Sequence, residues 1–74
     1  MMISTAAQAQ NFATYVLNTN VWLEMQIEQG AHEADIVDFL QTQIQTIFGS
    51  FTFTTEQCIQ IARSAYAVWL ELGN

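Results

Sequence analysis

Residues 51–73 read FTFTTEQCIQIARSAYAVWLELG, and this stretch decides the fold. Thr54 and Gln57 have the spacing of a capping box, in which each side chain accepts a hydrogen bond from the other residue's backbone N–H. Phe53 precedes the cap and can pack on the fourth helical residue as a hydrophobic staple. Five apolar residues then recur at steps of four and three: Cys58, Ala62, Ala65, Trp69 and Leu72. With Gly73 as the left-handed terminator, the pattern predicts a helix over about Thr55–Leu72.

The length and composition predict one domain over residues 1–74. A chain of 74 residues can build only a small core. With one cysteine, Cys58, it has no disulfide and no cysteine cluster for a structural metal. Tight helix packing, self-association or a partner protein is then the expected source of further stability.

The charge composition is strongly acidic. Arg63 is the only basic residue besides one histidine, seven residues are acidic, and the net charge is −6. Direct nucleic-acid binding is not expected, because it needs lysine and arginine to neutralise phosphates. The same deficit disfavours anionic membrane surfaces. No apolar run of ~18 residues predicts a membrane span. We expect a cytoplasmic protein, acting in the host cytoplasm if a phage encodes it.

The first element is ambiguous at Asn20. Thr5, or Ser4 before it, can cap a helix with an apolar stripe: Ala9, Phe12, Ala13, Val16, Leu23 and Ile27. Asn20 falls on this stripe, within three consecutive poor helix formers. The sequence fits two helices, about Thr5–Asn18 and Val21–Gln29, or one helix bent near Asn20. We favour the single bent helix.

A second helix is predicted over about Glu33–Phe48, between Gly30 and Gly49. Its apolar positions form a buried face: Ile36, Val37, Leu40, Ile44, Ile47 and Phe48. Residues 42–46 alternate as a strand would, but no partner strand is evident. A β-prone connector, in which Phe51 and Phe53 can face the core or a neighbour, leads to the capped helix. The fold class is therefore all-α, a small three-helix bundle, or four helices if the first element breaks near Asn20.

The residues that could support catalysis form no catalytic pattern. Glu28, His32 and Asp35 have metal-ligand spacing on a helix, but Gly30 interrupts it. Cys58 lies on a core stripe, where a small apolar residue is needed. We therefore predict no catalytic residue, no metal, no cofactor and no enzymatic activity.

Two features favour a protein partner. Five of the seven acidic residues lie within fifteen positions, and we call them the acidic segment: Glu24, Glu28, Glu33, Asp35 and Asp38. The last helix carries a second apolar stripe of Ile59, Tyr66 and Leu70, and Val21, Trp22 and Met25 lie off the main stripe of the first element. These residues either bind a partner or are covered within the bundle. Arg63, on the outer face, has no carboxylate partner on its own helix.

The leading hypothesis is a protein-binding module that occludes a basic, nucleic-acid-handling protein, of a phage anti-defence (anti-CRISPR-like) or toxin-immunity type. In this hypothesis Trp22, Tyr66 and Leu70 anchor the partner, Ile59 adds contact area, and the acidic segment steers its approach. The alternative is a homo-oligomeric structural module, such as a homodimer, in which the second stripes pair with their own copies.

Overall fold

The computed structural model describes residues 5–73, and within them the chain forms four α-helices and no strand. The helices are α1 (Thr5–Thr19), α2 (Val21–Glu28), α3 (Glu33–Phe48) and α4 (Thr55–Glu71). The all-α prediction is confirmed. The suggested Ser4 cap lies outside the described residues. No helix among the described residues is long and apolar enough to cross a membrane.

The start of α4 follows the predicted capping box. The backbone N–H of Gln57 donates to Thr54 Oγ1 at 3.1 Å, and that of Thr54 donates to Gln57 Oε1 at 2.9 Å. Gly73 has φ +80° and ends the helix as expected. Phe53 is buried with the four stripe residues Cys58, Ala62, Ala65 and Trp69. Leu72, placed on that stripe, is instead 70% exposed, because it lies beyond the last helical residue.

The chain breaks at Asn20, so the favoured single bent helix is wrong and the two-helix alternative is confirmed. Asn20 has extended backbone angles (φ −84°, ψ 106°) and caps α2 by accepting from the backbone N–H of Leu23 at 2.8 Å. A short polar side chain can bond to nearby backbone in this way, which favours a cap over continued helix. Leu23, three residues after the break, is fully buried in the core.

The predicted helix α3 is confirmed, and residues 42–46 are helical rather than extended. Ile36, Val37, Leu40 and Ile44 are buried, but Ile47, assigned to the same face, is 61% exposed. The short helix α2, only 8 residues long, adjoins the start of α3 and cannot reach its last turn.

The connector between α3 and α4 separates its two aromatic residues. Phe53 is buried and packs edge-on against Phe48, which in turn packs edge-on against Phe12 of α1. Phe51 is fully exposed. Of the two connector phenylalanines, only Phe53 therefore contributes to the core.

The helices α1 and α4 run side by side in the same direction. Near their C-terminal ends, Trp69 Nε1 donates to Asn18 Oδ1 at 2.9 Å. Near their N-terminal ends, Ala6 and Ile61 line one surface depression. The helix α3 is antiparallel to α4, since Gln45 Nε2 near the end of α3 donates to Thr55 Oγ1 at the start of α4. The C-terminal ends of α1 and α4 therefore share one end of the molecule with the start of α3.

Candidate protein-binding surface

The helix α2 is apolar on both its inner and its outer side. Leu23 is fully buried beneath it, while Val21, Trp22 and Met25 are 68%, 55% and 48% exposed. We call these three residues the outer face of α2. A helix at a protein surface ordinarily turns polar residues outward. An apolar outer face with an aromatic residue and a methionine is typical of an interaction surface.

Trp22 is held in place by a neighbouring ring. Its indole lies 5.2 Å, centroid to centroid, from the half-buried ring of Phe39 on α3, with the planes inclined by 37°. This contact bridges α2 and α3 and restricts the freedom of the indole. A partner that docked on Trp22 would therefore have less side-chain entropy to remove.

The acidic segment is exposed throughout. Glu24 and Glu28 lie one turn apart on α2, Glu33 and Asp35 occupy the first turn of α3, and Asp38 follows on the next turn. Glu33 and Asp35 stabilise α3, because its N-terminus carries the positive end of the helix dipole. Glu28 is the last residue of α2, at the negative end, and it has no such structural benefit.

Two of these carboxylates face Arg63 across the contact between α3 and α4. A groove of about 480 Å³ there is lined by Glu33, Ala34, Val37, Asp38, Ile59 and Arg63, and we call it the Arg63 groove. Within residues 5–73, no carboxylate approaches the guanidinium to within the 4.0 Å of an ion pair. The positive charge nevertheless lies in the same groove as the two negative ones. Arg63 thus has carboxylate neighbours on another helix, although none on its own.

A second groove lies where α1, α2 and α4 meet. It has a volume of about 420 Å³, and we call it the Trp69 groove; its lining is Leu17, Asn18, Glu24, Ile27, Glu28 and Trp69. The apolar residues of the lining are buried or half-buried, whereas both glutamates are exposed. The groove therefore combines an apolar inner wall with an acidic rim, and no basic residue lines it.

The predicted second stripe of α4 is divided by the fold. Ile59 is half-buried in the Arg63 groove, and Leu70 is 49% exposed. Tyr66, expected as a surface anchor, is only 7% exposed and stacks on Trp69 with 6.0 Å between the ring centroids. It is part of the buried core cluster. Tyr66 therefore belongs to the core, and Trp22 and Leu70 are the predicted anchors that remain accessible.

Cys58 lies in the core, and His32 is exposed just before α3. Cys58 is fully buried on the core side of α4, and burial raises the pKa of its thiol, which disfavours the nucleophilic thiolate. His32 precedes α3 and is exposed; its side chain makes no capping hydrogen bond, and its carbonyl accepts from the backbone N–H of Asp35 at 3.0 Å. Among the described residues, no three His, Cys, Asp or Glu side chains are grouped to hold a metal ion.

Sequence reasoning identified individual exposed residues but not the grooves between helices. Leu17, Asn18 and Trp69 belong to the Trp69 groove through the parallel packing of α1 and α4, which periodicity along one helix does not reveal. The feature of the sequence that could have indicated the Trp69 groove was the break at Asn20. A break there allows α2 to change direction and place Glu24 and Glu28 on the rim of the groove.

Comparisons with protein-family models, curated proteins and solved structures give no match to this chain.

Proposed function

We propose that this chain is a small protein-binding module that occludes a basic surface on another protein. The observation that carries the proposal is the outer face of α2, which is apolar, exposed and flanked on the same helix by Glu24 and Glu28. Burial of apolar area around Trp22 and Met25 supplies affinity at about 25 cal/mol per Å² before the costs of association.

The acidic segment orients the approaching partner and raises the rate of association. Its five carboxylates lie on α2 and α3, within a chain of net charge −6, and two of them, Glu24 and Glu28, share α2 with the outer face. A field of one sign accelerates the encounter with an oppositely charged partner and disfavours acidic competitors. On α2, the groups that supply affinity and those that supply selectivity thus belong to one short helix.

The partner class that fits best is a protein whose basic surface handles nucleic acid. Such a surface must be positive to hold phosphates, and a compact acidic protein docked on it excludes the nucleic acid. The proposed setting is inhibition by occlusion in the cytoplasm, as in phage anti-defence (anti-CRISPR-like) proteins or toxin-immunity proteins. The proposal assigns no catalytic step to the chain.

Charge reversal on the acidic segment tests the proposal. The variant Glu24→Lys/Glu28→Lys/Asp35→Lys raises the net charge from −6 to 0, since each change adds two charges. Capture of the partner from a lysate should fall by at least about tenfold, because attraction at three exposed sites becomes repulsion. Once identified by mass spectrometry, the captured protein should be basic, and the wild-type chain should block its binding to nucleic acid.

A matched pair of single reversals provides the control. Glu28→Lys and Glu56→Lys each change the net charge from −6 to −4, but Glu56 lies in the first turn of α4, outside the acidic segment. Glu28→Lys should weaken capture more than Glu56→Lys does. Equal capture by the wild type and the triple variant would refute the electrostatic part of the proposal.

The alternative, a homo-oligomeric structural module, is favoured by exposed apolar residues away from α2. Ile47 and Phe51 are 61% and 107% exposed, and Val68 and Leu72 on and after α4 are 43% and 70% exposed. Pairing between copies would remove these surfaces from water. Sedimentation at micromolar concentration discriminates between the two, because the structural module requires an oligomer and a folded monomer contradicts it.

A further inference from the structure

The Trp69 groove is open to solvent and has distinct inner and outer parts. Leu17, Ile27 and the indole of Trp69 form its apolar wall, and the exposed carboxylates of Glu24 and Glu28 border its mouth. A side chain with an apolar stem and a cationic end matches both parts, because the stem can lie on the wall while the charge stays at the rim.

The electrostatics of this groove are unfavourable without a cation. Glu24 and Glu28 are at positions i and i+4 of α2, where like charges repel; Glu24 lies near the positive end of the helix dipole, but Glu28 lies at the negative end. The groove lies at the end of the molecule where α1 and α4 terminate, and neither helix has a basic residue in its last turn. The partial negative charge at these two termini adds to that of the carboxylates.

Among residues 5–73, no lysine, arginine or histidine lines the Trp69 groove. Arg63, the only lysine or arginine, lines the groove between α3 and α4 instead. The start of α3 reaches the same end of the molecule, but Glu33 and Asp35 offset its positive dipole. A cation that enters the Trp69 groove from outside would therefore relieve repulsion already present in the free protein.

Arginine fits this groove better than lysine. A guanidinium is planar, is more weakly hydrated than an ammonium and can donate to two carboxylates at once. The helix α2 supplies two exposed carboxylates, whereas Trp69 is 7% exposed and stacks on Tyr66, so that little of its indole is accessible. Asn18 Oδ1 already accepts from Trp69 Nε1, and its second lone pair remains able to accept from a guanidinium N–H.

We propose that the Trp69 groove binds an arginine side chain presented by the basic partner protein. This inference rests on the proposed function and names the group that the chain recognises. Docking on the outer face of α2 and insertion of an arginine beside Glu24 and Glu28 involve the same short helix. One partner surface can therefore make both contacts.

The test is an NMR titration of the full chain with acetyl-(Gly-Arg)₃-amide. Its matched controls are the lysine peptide and the citrulline peptide, in which the guanidinium is replaced by a neutral isostere. The readout is the indole N–H resonance of Trp69, distinguished from that of the other tryptophan by Trp22→Phe. The arginine peptide should shift this resonance, and the citrulline peptide should cause no shift. The lysine peptide should bind with an affinity at least about threefold lower than that of the arginine peptide.

Two double variants locate the binding site. Glu24→Gln/Glu28→Gln and Glu33→Gln/Asp38→Gln each change the net charge from −6 to −4. Neutralising Glu24 and Glu28 should lower the affinity for the arginine peptide about tenfold, the equivalent of about 1.4 kcal/mol. Neutralising Glu33 and Asp38 should lower this affinity less than about threefold, because those residues line the Arg63 groove. Equal losses, or equal affinity for the lysine peptide, would overturn the inference.

The outcomes separate this inference from the proposed function. If the triple lysine variant loses the partner but the arginine peptide shifts no resonance of the Trp69 groove, only the groove assignment fails. If charge reversal also leaves partner capture unchanged, the electrostatic part of the proposed function fails with it.

Discussion

The two grooves are similar in size but differ in charge. The Arg63 groove has a volume of about 480 Å³ and the Trp69 groove about 420 Å³, and each combines two carboxylates with apolar side chains. The Arg63 groove has a net charge of −1, from Glu33, Asp38 and Arg63. The Trp69 groove has a net charge of −2, from Glu24 and Glu28. The position of a single cation thus accounts for the difference in charge between the two grooves.

The grooves also differ in how firmly their walls are fixed. In the Trp69 groove, a side-chain hydrogen bond between Asn18 and Trp69 joins α1 to α4 across 51 residues of sequence. No side-chain hydrogen bond among the described residues joins opposite walls of the Arg63 groove. A fixed wall favours specific recognition, because less conformational freedom is lost on binding.

The largest effect is expected from Asn18→Ala, which removes this bond from the Trp69 groove. The variant leaves the mostly buried Trp69 Nε1–H without its acceptor, so the free energy of unfolding should fall by about 1–2 kcal/mol. Urea denaturation measures the change. Hydrogen exchange of the Trp69 indole N–H, which should accelerate, shows that the loss is local to this groove.

Asn11→Ala is the matched control, because Asn11 is an exposed residue of the same helix. Both changes replace asparagine by the better helix former alanine, a gain of up to about 0.7 kcal/mol in the helix interior at Asn11 and a smaller gain at Asn18, next to the end of α1. Asn11→Ala should therefore leave stability unchanged or slightly raised. If Asn18→Ala behaves in the same way, the Asn18–Trp69 bond does not stabilise the groove, and the proposed difference in rigidity is wrong.

A smaller effect is expected from Arg63→Gln, which removes the charge difference between the grooves. The Arg63 groove would then carry −2, the same as the Trp69 groove. Arginine peptides should gain affinity for it by about two- to fivefold, since exposed charges contribute at most about 1 kcal/mol. The gain would appear as shifts of the backbone amide resonances of Val37 and Ile59 during titration.

Arg63→Lys preserves the charge and should leave the Arg63 groove unoccupied by the peptide. If Arg63→Gln produced no binding there, charge compensation would not explain the difference between the grooves. The apolar wall and the indole of the Trp69 groove would then be the features that matter.

Local signals in the sequence predicted the elements well where they agreed. The capping box at Thr54 and the stripe from Cys58 to Trp69 are confirmed, because they depend on neighbours within one helix. At Asn20 the sequence contained evidence for a break, but the prediction of a single bent helix was wrong. The apolar stripe on either side favoured one helix, whereas the side-chain cap on Leu23 favours two.

Exposure was the part that the sequence could not determine. Tyr66 and Leu70 are on the same stripe of α4, yet only Tyr66 is covered. Ile47 and Leu72 are on predicted core faces, yet both are exposed: Ile47 is in the last turn of α3, and Leu72 follows the last residue of α4. Burial depends on where the other helices begin and end, and periodicity along a single helix contains no such information. The Trp69 groove was missed for the same reason.

The parallel packing of α1 and α4 has a consequence for the order of folding. The helices α3 and α4 are joined by the short connector 49–54 and can pair with little loss of chain entropy. The helices α1 and α4 meet only after about 50 intervening residues have been arranged, and such distant contacts form slowly. The Arg63 groove can therefore assemble within a local hairpin, whereas the Trp69 groove exists only once α1 has docked. Arginine binding at the Trp69 groove would thus report completion of the native fold and stabilise it by mass action.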